Sequence, residues 1–248
     1  MGSVRLRNLG WIAIASAGVV TAWGCFAKTA SAADSVTVQE ILDGNQLYID
    51  QQQARVHARA RSPQLVSTKQ ARAQLLFNTG AAGRLSHFSL LKLGSSCFLM
   101  QQGQILVSGQ QNGCTRSARM SVRGTNYLID VQEDGSSELS VLEGSVEVEP
   151  LRDGEATGDP SVVVEAGQKV RISPVGVLLS LVRLSQGDYE RILGGSLFSG
   201  FTTPLPGLGS LERYLRINVP GVRVPSGVRG ELSLPSVPSV PSIPTFGF

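Results

Sequence analysis

Between Gln51 and Ile129 the sequence has no aspartate or glutamate. Histidine is scarce throughout, with two in 248 residues, and aromatics make up only 6%. Charged residues reach 17%, against roughly a quarter in an average soluble protein. Each scarcity excludes something. There is no Gly-x-Ser-x-Gly, His-Glu-x-x-His, P-loop or dinucleotide fingerprint, so the common hydrolase, metalloprotease and nucleotide-binding constellations have no anchor. His57 and His87 both lie in the acid-free stretch, away from any carboxylate that could orient an imidazole, and read as surface or turn residues. Glu147 and Glu149 alternate with Val146 and Val148, which places both carboxylates on one strand face. A pair for glycoside hydrolysis or calcium is the alternative to a solvated face there. The expectation is a protein that is not an enzyme and needs no cofactor or metal.

The acid-free stretch holds ten cations: Arg55, Arg59, Arg61, Lys69, Arg72, Arg84, Lys92, Arg116, Arg119 and Arg123. From Asp130 to Glu165 the balance reverses, with eleven acids against Arg152 alone. Blocks of opposite sign in one domain attract, so acidic strands are expected beside basic ones. The alternative is a basic face for an anionic ligand such as a surface glycan, with Arg55, Arg59, Arg61, Lys69 and Arg72 as candidates. The formal charge is +3, but Arg5, Arg7 and Lys28 precede any acid, and without them cations and acids are equal at nineteen each. Generic nucleic-acid binding through net charge is therefore disfavoured.

Those early cations belong to a recognisable layout. Arg5 and Arg7 form a basic start, Leu9 to Ala22 is apolar, and Ala30-Ser31-Ala32 offers small residues for cleavage. Residues 1–32 thus read as a secretory signal cleaved near Ala32, placing the mature chain in the periplasm or outside the cell. The apolar run is short of the ~20 residues a bilayer span needs, so no permanent transmembrane segment is expected. Arg5 and Arg7 are not adjacent, which excludes a twin-arginine signal. Cys25, after Ala22-Trp23-Gly24, resembles a lipoprotein acceptor, but Trp23 is a bulky misfit. Export leaves Cys97 and Cys114, an even pair in an oxidising compartment, and favours a disulfide between them. Two buried thiols are the alternative; a zinc site with His57 and His87 lacks the ligand spacing.

The body of the chain reads as all-β. Tyr127, Ile129 and Val131 alternate with polar or outward positions, Glu133-Asp134-Gly135-Ser136 supplies a turn, and Leu139 and Val141 resume the alternation. Glu143-Gly144 breaks that strand, Val146 and Val148 begin the next, and Glu165-Ala166-Gly167-Gln168 turns Val162–Val164 into Val170–Ile172. Short apolar runs at 71–77, 83–93, 97–100 and 104–107 add further strands. The expected organisation is an introductory segment at 33–64, a β domain at 65–185, and a short helix with linker at 186–203. A Pro-rich, disordered tail follows at 204–248. The helix rests on Asp188, Tyr189, Ile192 and Leu193, stopped by Gly194-Gly195. Eight of the twelve prolines fall between Pro204 and Pro244, ending in a Pro-Ser-Val/Ile repeat suited to an extended spacer or a docking strip.

Several of these stretches resemble the FecR-type domain family. Asn78-Thr79-Gly80-Ala81-Ala82-Gly83-Arg84-Leu85 is similar to the threonine-glycine turn that opens such domains. Leu93-Gly94-Ser95-Ser96 with Gln102 to Val107 resembles the paired strand that follows. Val122-Arg123-Gly124-Thr125-Asn126-Tyr127 to Val131, Val141-Leu142-Glu143-Gly144-Ser145-Val146 to Val148, and Ala166-Gly167-Gln168-Lys169-Val170 resemble its later strands and closing turn. The likeness covers roughly Leu65 to Ile172; the family's usual Asp-Gly-Ser turn is replaced by Ser86-His87-Phe88-Ser89-Leu90. It implies a β-rich module outside the cytoplasmic membrane that binds a partner or relays a signal. The namesake regulator relays a ferric-citrate signal to a sigma factor through a cytoplasmic segment and an internal span that are not read here. What carries over is the module. Glycine-spaced strands can stack as a β-roll or β-helix, or curl into a sandwich, with α-helical residues 188–193 capping an end. An envelope protein or an anionic glycan is the expected partner; oligomeric state is not legible.

Overall fold

The computed structural model describes residues 34–224. The expected leader with Cys25 and the Pro-Ser-Val/Ile repeat lie outside the described residues. Eight short strands come first: β1 (Ser35–Leu42), β2 (Leu47–Ile49), β3 (Gln52–Gln53), β4 (Arg59–Arg61), β5 (Leu65–Thr68), β6 (Arg72–Phe77), β7 (Ala82–Leu85) and β8 (Leu90–Lys92). Next are β9 (Phe98–Ser108), the two-residue β10 (Gly113–Cys114), and the long β11 (Ala118–Val131) and β12 (Ser137–Arg152). β13 (Glu155–Ala156), β14 (Val162–Glu165), β15 (Gln168–Ile172) and β16 (Leu178–Arg183) close the sheet, before α1 (Gln186–Leu193) and α2 (Leu208–Asn218). The all-β expectation holds.

Pairing divides these strands into two layers. One runs β4-β1-β6-β7-β9-β11-β12-β15-β16, using the second half of β9 and of β11 and the first half of β12. The other runs β3-β2-β5-β8-β9-β10-β11-β12-β14 through the remaining halves. Side chains from both fill one core, with Leu75, Leu85, Ile129 and Val170 from the first and Leu47, Val66, Met120 and Val148 from the second. The Phe77 and Phe98 rings stack across it, centroids 5.5 Å apart.

The long strands pass between layers at glycines. Gly124 of β11 lies opposite Gly144 of β12, and the register slips around Thr125. A Cβ on Gly124 would sit 2.5 Å from the Gly144 Cα, while Gly144 has φ +88°. Neither strand tolerates a side chain where they bend together. Gly144 therefore bends a continuous strand; the break expected at Glu143-Gly144 is absent. The Cys97–Cys114 disulfide forms, joining the approach to β9 with β10 across 17 residues.

Two further expectations change. The chain after Pro204 is not uniformly an extended tail, because α2 occupies 208–218 and buries Leu208, Leu211 and Leu215. Nor does α1 cap an edge. Its Tyr189 and Leu193 join Leu197, Phe198, Leu205 and the α2 leucines in a second core on the outer face of the first layer. Ala82, Leu106 and Leu142 supply the sheet side of that core, with Leu128 packed beside them. The central strands are thus apolar on both faces, the pattern of a sheet covered twice.

Two measurements test this construction. Gly124→Ala should destabilise the protein by about 1–3 kcal/mol in urea unfolding, because backbone rather than a movable side chain blocks the new methyl. Reducing the disulfide should cost ~3 kcal/mol, the loop-closure value for a link of this length.

Candidate interaction site

The segment between the helices crosses the first layer as a strap held by two arginines. Arg84 of β7 is fully buried. Its Nε donates to Gln74 Oε1 (2.7 Å), Nη1 to the Leu197 carbonyl (3.0 Å) and Nη2 to the Thr203 carbonyl (2.9 Å). The guanidinium lies 4.3 Å from the centroid of the Phe201 ring, and that of Arg72 lies 5.4 Å from it. Burial lowers the Arg84 pKa to about 10, which leaves the group charged at neutral pH. Arg72 donates to Asp43 and to the carbonyls of Ser196 and Ser199. On the other flank Glu40 accepts from the Thr202 N–H (2.9 Å), the Thr202 hydroxyl (3.0 Å) and the Thr203 N–H (2.9 Å). Burial opposes ionisation of Glu40, but these donors hold its carboxyl below the usual range. Asp43 is likewise held low, first by Arg72 and then by His87, whose Nε2 is 3.1 Å away.

The motif residues support the same face. Asn126 Nδ2 donates to the Gly207 carbonyl (2.9 Å) and to Glu143 (3.1 Å), and the Ser210 hydroxyl donates to Glu143 (3.3 Å). With the Gly207 N–H donating to Ser108 Oγ (2.8 Å), they seat the start of α2 on the bend. Gly124, Thr125 and Gly144 form that bend. Gly167, at φ +78°, leaves no room for a side chain beneath the Tyr214 hydroxyl, 2.9 Å from where a Cβ would stand. Thr79 and Gly80 stand apart, in the β6–β7 turn, where the Thr79 hydroxyl meets Gln111 (3.1 Å).

The charge blocks do pair. Arg119 meets Glu149 at 2.7 Å and Arg123 meets Glu147 at 3.5 Å, across β11 and β12. Of the basic-face candidates, Arg72 is removed, being 8% exposed and committed to the strap. Arg55, Arg59, Arg61 and Lys69 are exposed. Arg59 and Arg61 sit on β4, the terminal strand of the first layer, where charge discourages edge-to-edge association. His57, at φ +70°, is exposed in the preceding loop.

Between α1 and the sheet is a polar cleft of about 230 Å³ lined by Asp130, Glu138, Lys169, Asp188 and Arg191. Its charges are matched: Lys169 lies 3.6 Å from Glu138 and 3.5 Å from Asp188, and Arg191 also engages Asp188. The Ser185 hydroxyl and N–H, which cap α1 with Asp188, hold the Asp188 carboxyl far below its ordinary range. Asp130 differs. Burial raises its pKa and Glu138 opposite raises it further, only partly offset by the Gln104 amide at 2.8 Å. Among the described residues no cluster of His, Cys, Asp and Glu could hold a metal ion.

The opposite end of the first layer is built differently. Among the described residues β16 pairs with β15 alone. Leu179, Leu181 and Val182 are 57%, 45% and 45% exposed, and Val175 and Val177 in the preceding turn are 53% and 51% exposed. The Leu184 N–H donates to the Gly167 carbonyl, which sets the phase of the ladder. Alternation then turns the N–H and C=O groups of Leu181 and Arg183 away from β15, where no described residue pairs with them. This apolar, unpaired edge is the strongest candidate for an interaction site. Nothing in the sequence reading singled it out, although the run Val177-Leu178-Leu179-Ser180-Leu181-Val182 carries no charge at all.

These features define an all-β, two-layer module in which residues 186–224 buttress one face and one strand edge is unpaired among the described residues. No protein-family model matches the chain, and no curated protein does. Among solved structures it is similar to a "putative anti-sigma factor" from Parabacteroides distasonis ATCC 8503, at 17% identity and a TM-score of 0.43, over 61% of this chain and 74% of that one. A second crystal structure carrying the same description gives 16% identity and a TM-score of 0.42, over 61% and 72%.

Phe201→Ala should cost about 3–5 kcal/mol in chemical unfolding, since it empties a buried ring site and strips two cations of their π-face. Asp130 makes a pH-dependent prediction. Its raised native pKa means that the native state binds a proton more readily than the unfolded chain, so its penalty is present at neutral pH and relieved as pH falls. Asp130→Asn should therefore raise Tm at pH 7 by ~2 °C, with the gain shrinking toward pH 4.

Proposed function

We propose that the protein is an exported, non-catalytic FecR-like module that binds a protein partner, or relays a signal through one, in the bacterial cell envelope. The partner's extended strand pairs with β16. The observation that carries this reading is the contrast between the two ends of one layer. β4 is guarded by arginines, whereas β16 presents leucine and valine beside backbone groups that no described residue pairs with. Strand addition takes affinity from the main-chain ladder and specificity from alternate side chains, and needs no deep pocket. The resemblance of the bend and turn motifs to FecR-type domains supports placement outside the cytoplasmic membrane. So does the disulfide, which persists in oxidising compartments.

A second reading rests on the exposed Arg55, Arg59, Arg61 and Lys69, which form no ion pair among the described residues. These would hold an anionic surface glycan. Heparin retention that falls steeply with salt, and that is lost on Arg59→Ser/Arg61→Ser, would favour it.

The edge reading is tested with the full mature chain as bait in cross-linked envelope extract, beside Leu181→Lys, which puts a charge on the exposed strand. The wild type should retain a partner that Leu181→Lys loses at least tenfold, with unchanged circular dichroism. Equal retention by the two proteins would sink the reading.

A further inference from the structure

α2 buries Leu208, Leu211 and Leu215 in the second core. Its other face is turned outward. Arg213 and Ile217 stand one turn apart on that face with Arg216 beside them, all three exposed. Ile217 is 70% exposed, more than any other large apolar side chain among the described residues. A helix that already has a buried apolar stripe gains nothing for the fold from an isoleucine on its wet side.

The charge around that isoleucine is of one sign. From Leu205 to Val224 the exposed charged residues are Arg213, Arg216 and Arg223, and the one acid, Glu212, is half-buried. None of the three arginines forms an ion pair among the described residues. The helix dipole accounts for Arg216, which lies in the last turn of α2. It does not account for Arg213, a turn earlier, or for Arg223, beyond the helix. The turn after α2 runs beside the start of α1, where a Cβ on Gly221 would lie 3.5 Å from Nε2 of Gln186. The acids of α1 are already engaged, Asp188 by Lys169 and Arg191, and Glu190 by the Gln186 amide.

We propose that the outward face of α2 seats the protein on an anionic phospholipid bilayer. Arg213, Arg216 and Arg223 engage lipid phosphates, and Ile217 enters the boundary between headgroups and acyl chains. The planar guanidinium fork matches two oxygens of a phosphate, and it is weakly hydrated, so it gives up water readily. Attachment of a helix face to such a surface scales with the apolar area it buries plus its attraction to anionic lipid, and this face supplies both. A single apolar side chain among cations on the convex side of a helix suits a deformable, anionic surface, whereas a protein partner would have to offer a pocket for Ile217 alone. The contact is independent of strand addition at β16.

The test is co-sedimentation of the full mature chain with vesicles of phosphatidylglycerol and phosphatidylcholine in equal parts, beside vesicles of phosphatidylcholine alone. The wild type should sediment with the first and not the second, and be released at ~1 M salt, where screening shrinks to about 3 Å. Arg213→Gln/Arg216→Gln should lower the partition coefficient about 30-fold, at roughly fivefold for each arginine near the surface. Ile217→Ser should lower it about tenfold through the lost apolar contact. All three positions are exposed, so circular dichroism should not change. Arg59→Ser/Arg61→Ser, on β4, should bind as the wild type does. No sedimentation with the phosphatidylglycerol vesicles would overturn the proposal and leave an acidic protein, or another part of this chain, as the cover of the face. Equal loss in the β4 and α2 variants would overturn it too, by assigning the binding to charge in general. No envelope protein takes part, so failure of the envelope capture leaves these partition coefficients untouched.

Discussion

The strap depends on a ring held between cations. Phe201 lies within cation–π distance of both Arg72 and Arg84, and the contacts that hold Ser196 to Thr203 of the strap to the sheet come from those two guanidinium groups and from Glu40 beside them. A buried arginine is costly unless its donors are satisfied, and here backbone carbonyls of the strap satisfy them. Sheet and strap are therefore mutually dependent. Without the strap Arg84 would be a buried charge lacking two acceptors; without Arg84 the strap would lose its central anchor. The second core, α1 and α2 pack on the same face, with contacts of their own to Leu142, Asn126 and Glu143.

The motif residues acquire a physical meaning from it. Gly124 and Gly144 let β11 and β12 pass from one layer to the other together, and Asn126 and Glu143, next to that crossing, fasten the first turn of α2. Gly167 completes the pattern by fitting under Tyr214. Apart from Thr79 and Gly80, residues that look like separate turn signals in sequence gather on one face, where they serve the docking of residues 186–224. The edge at β16 lies just beyond that buttressed region, fixed by β15 on one side and, among the described residues, unpaired on the other.

Much of this was legible in advance. Alternation around Tyr127–Val131 and Leu139–Val141 identified the strands, oxidising-compartment logic paired Cys97 with Cys114, and the Asp188–Leu193 spacing located α1. Three things were hidden for identifiable reasons. Prolines at 204, 206 and 220 obscured α2, although Leu208, Leu211 and Leu215 between them keep helical spacing. The burial of Leu106, Leu128 and Leu142 beneath the helices was not legible, because nothing local announces that a strand will be covered twice. Arg72 and Arg84 belonged to a charge block, and a block cannot say which of its members will find carbonyl partners more than a hundred residues away.

The strap and helices also impose an order of events in time. Leu106, Leu128 and Leu142 are synthesised long before the residues from Leu193 to Leu215 that shield them. A chain that emerges amino end first must hold this greasy surface wet until residues 193–215 follow. Such a half-finished intermediate is sticky toward its neighbours.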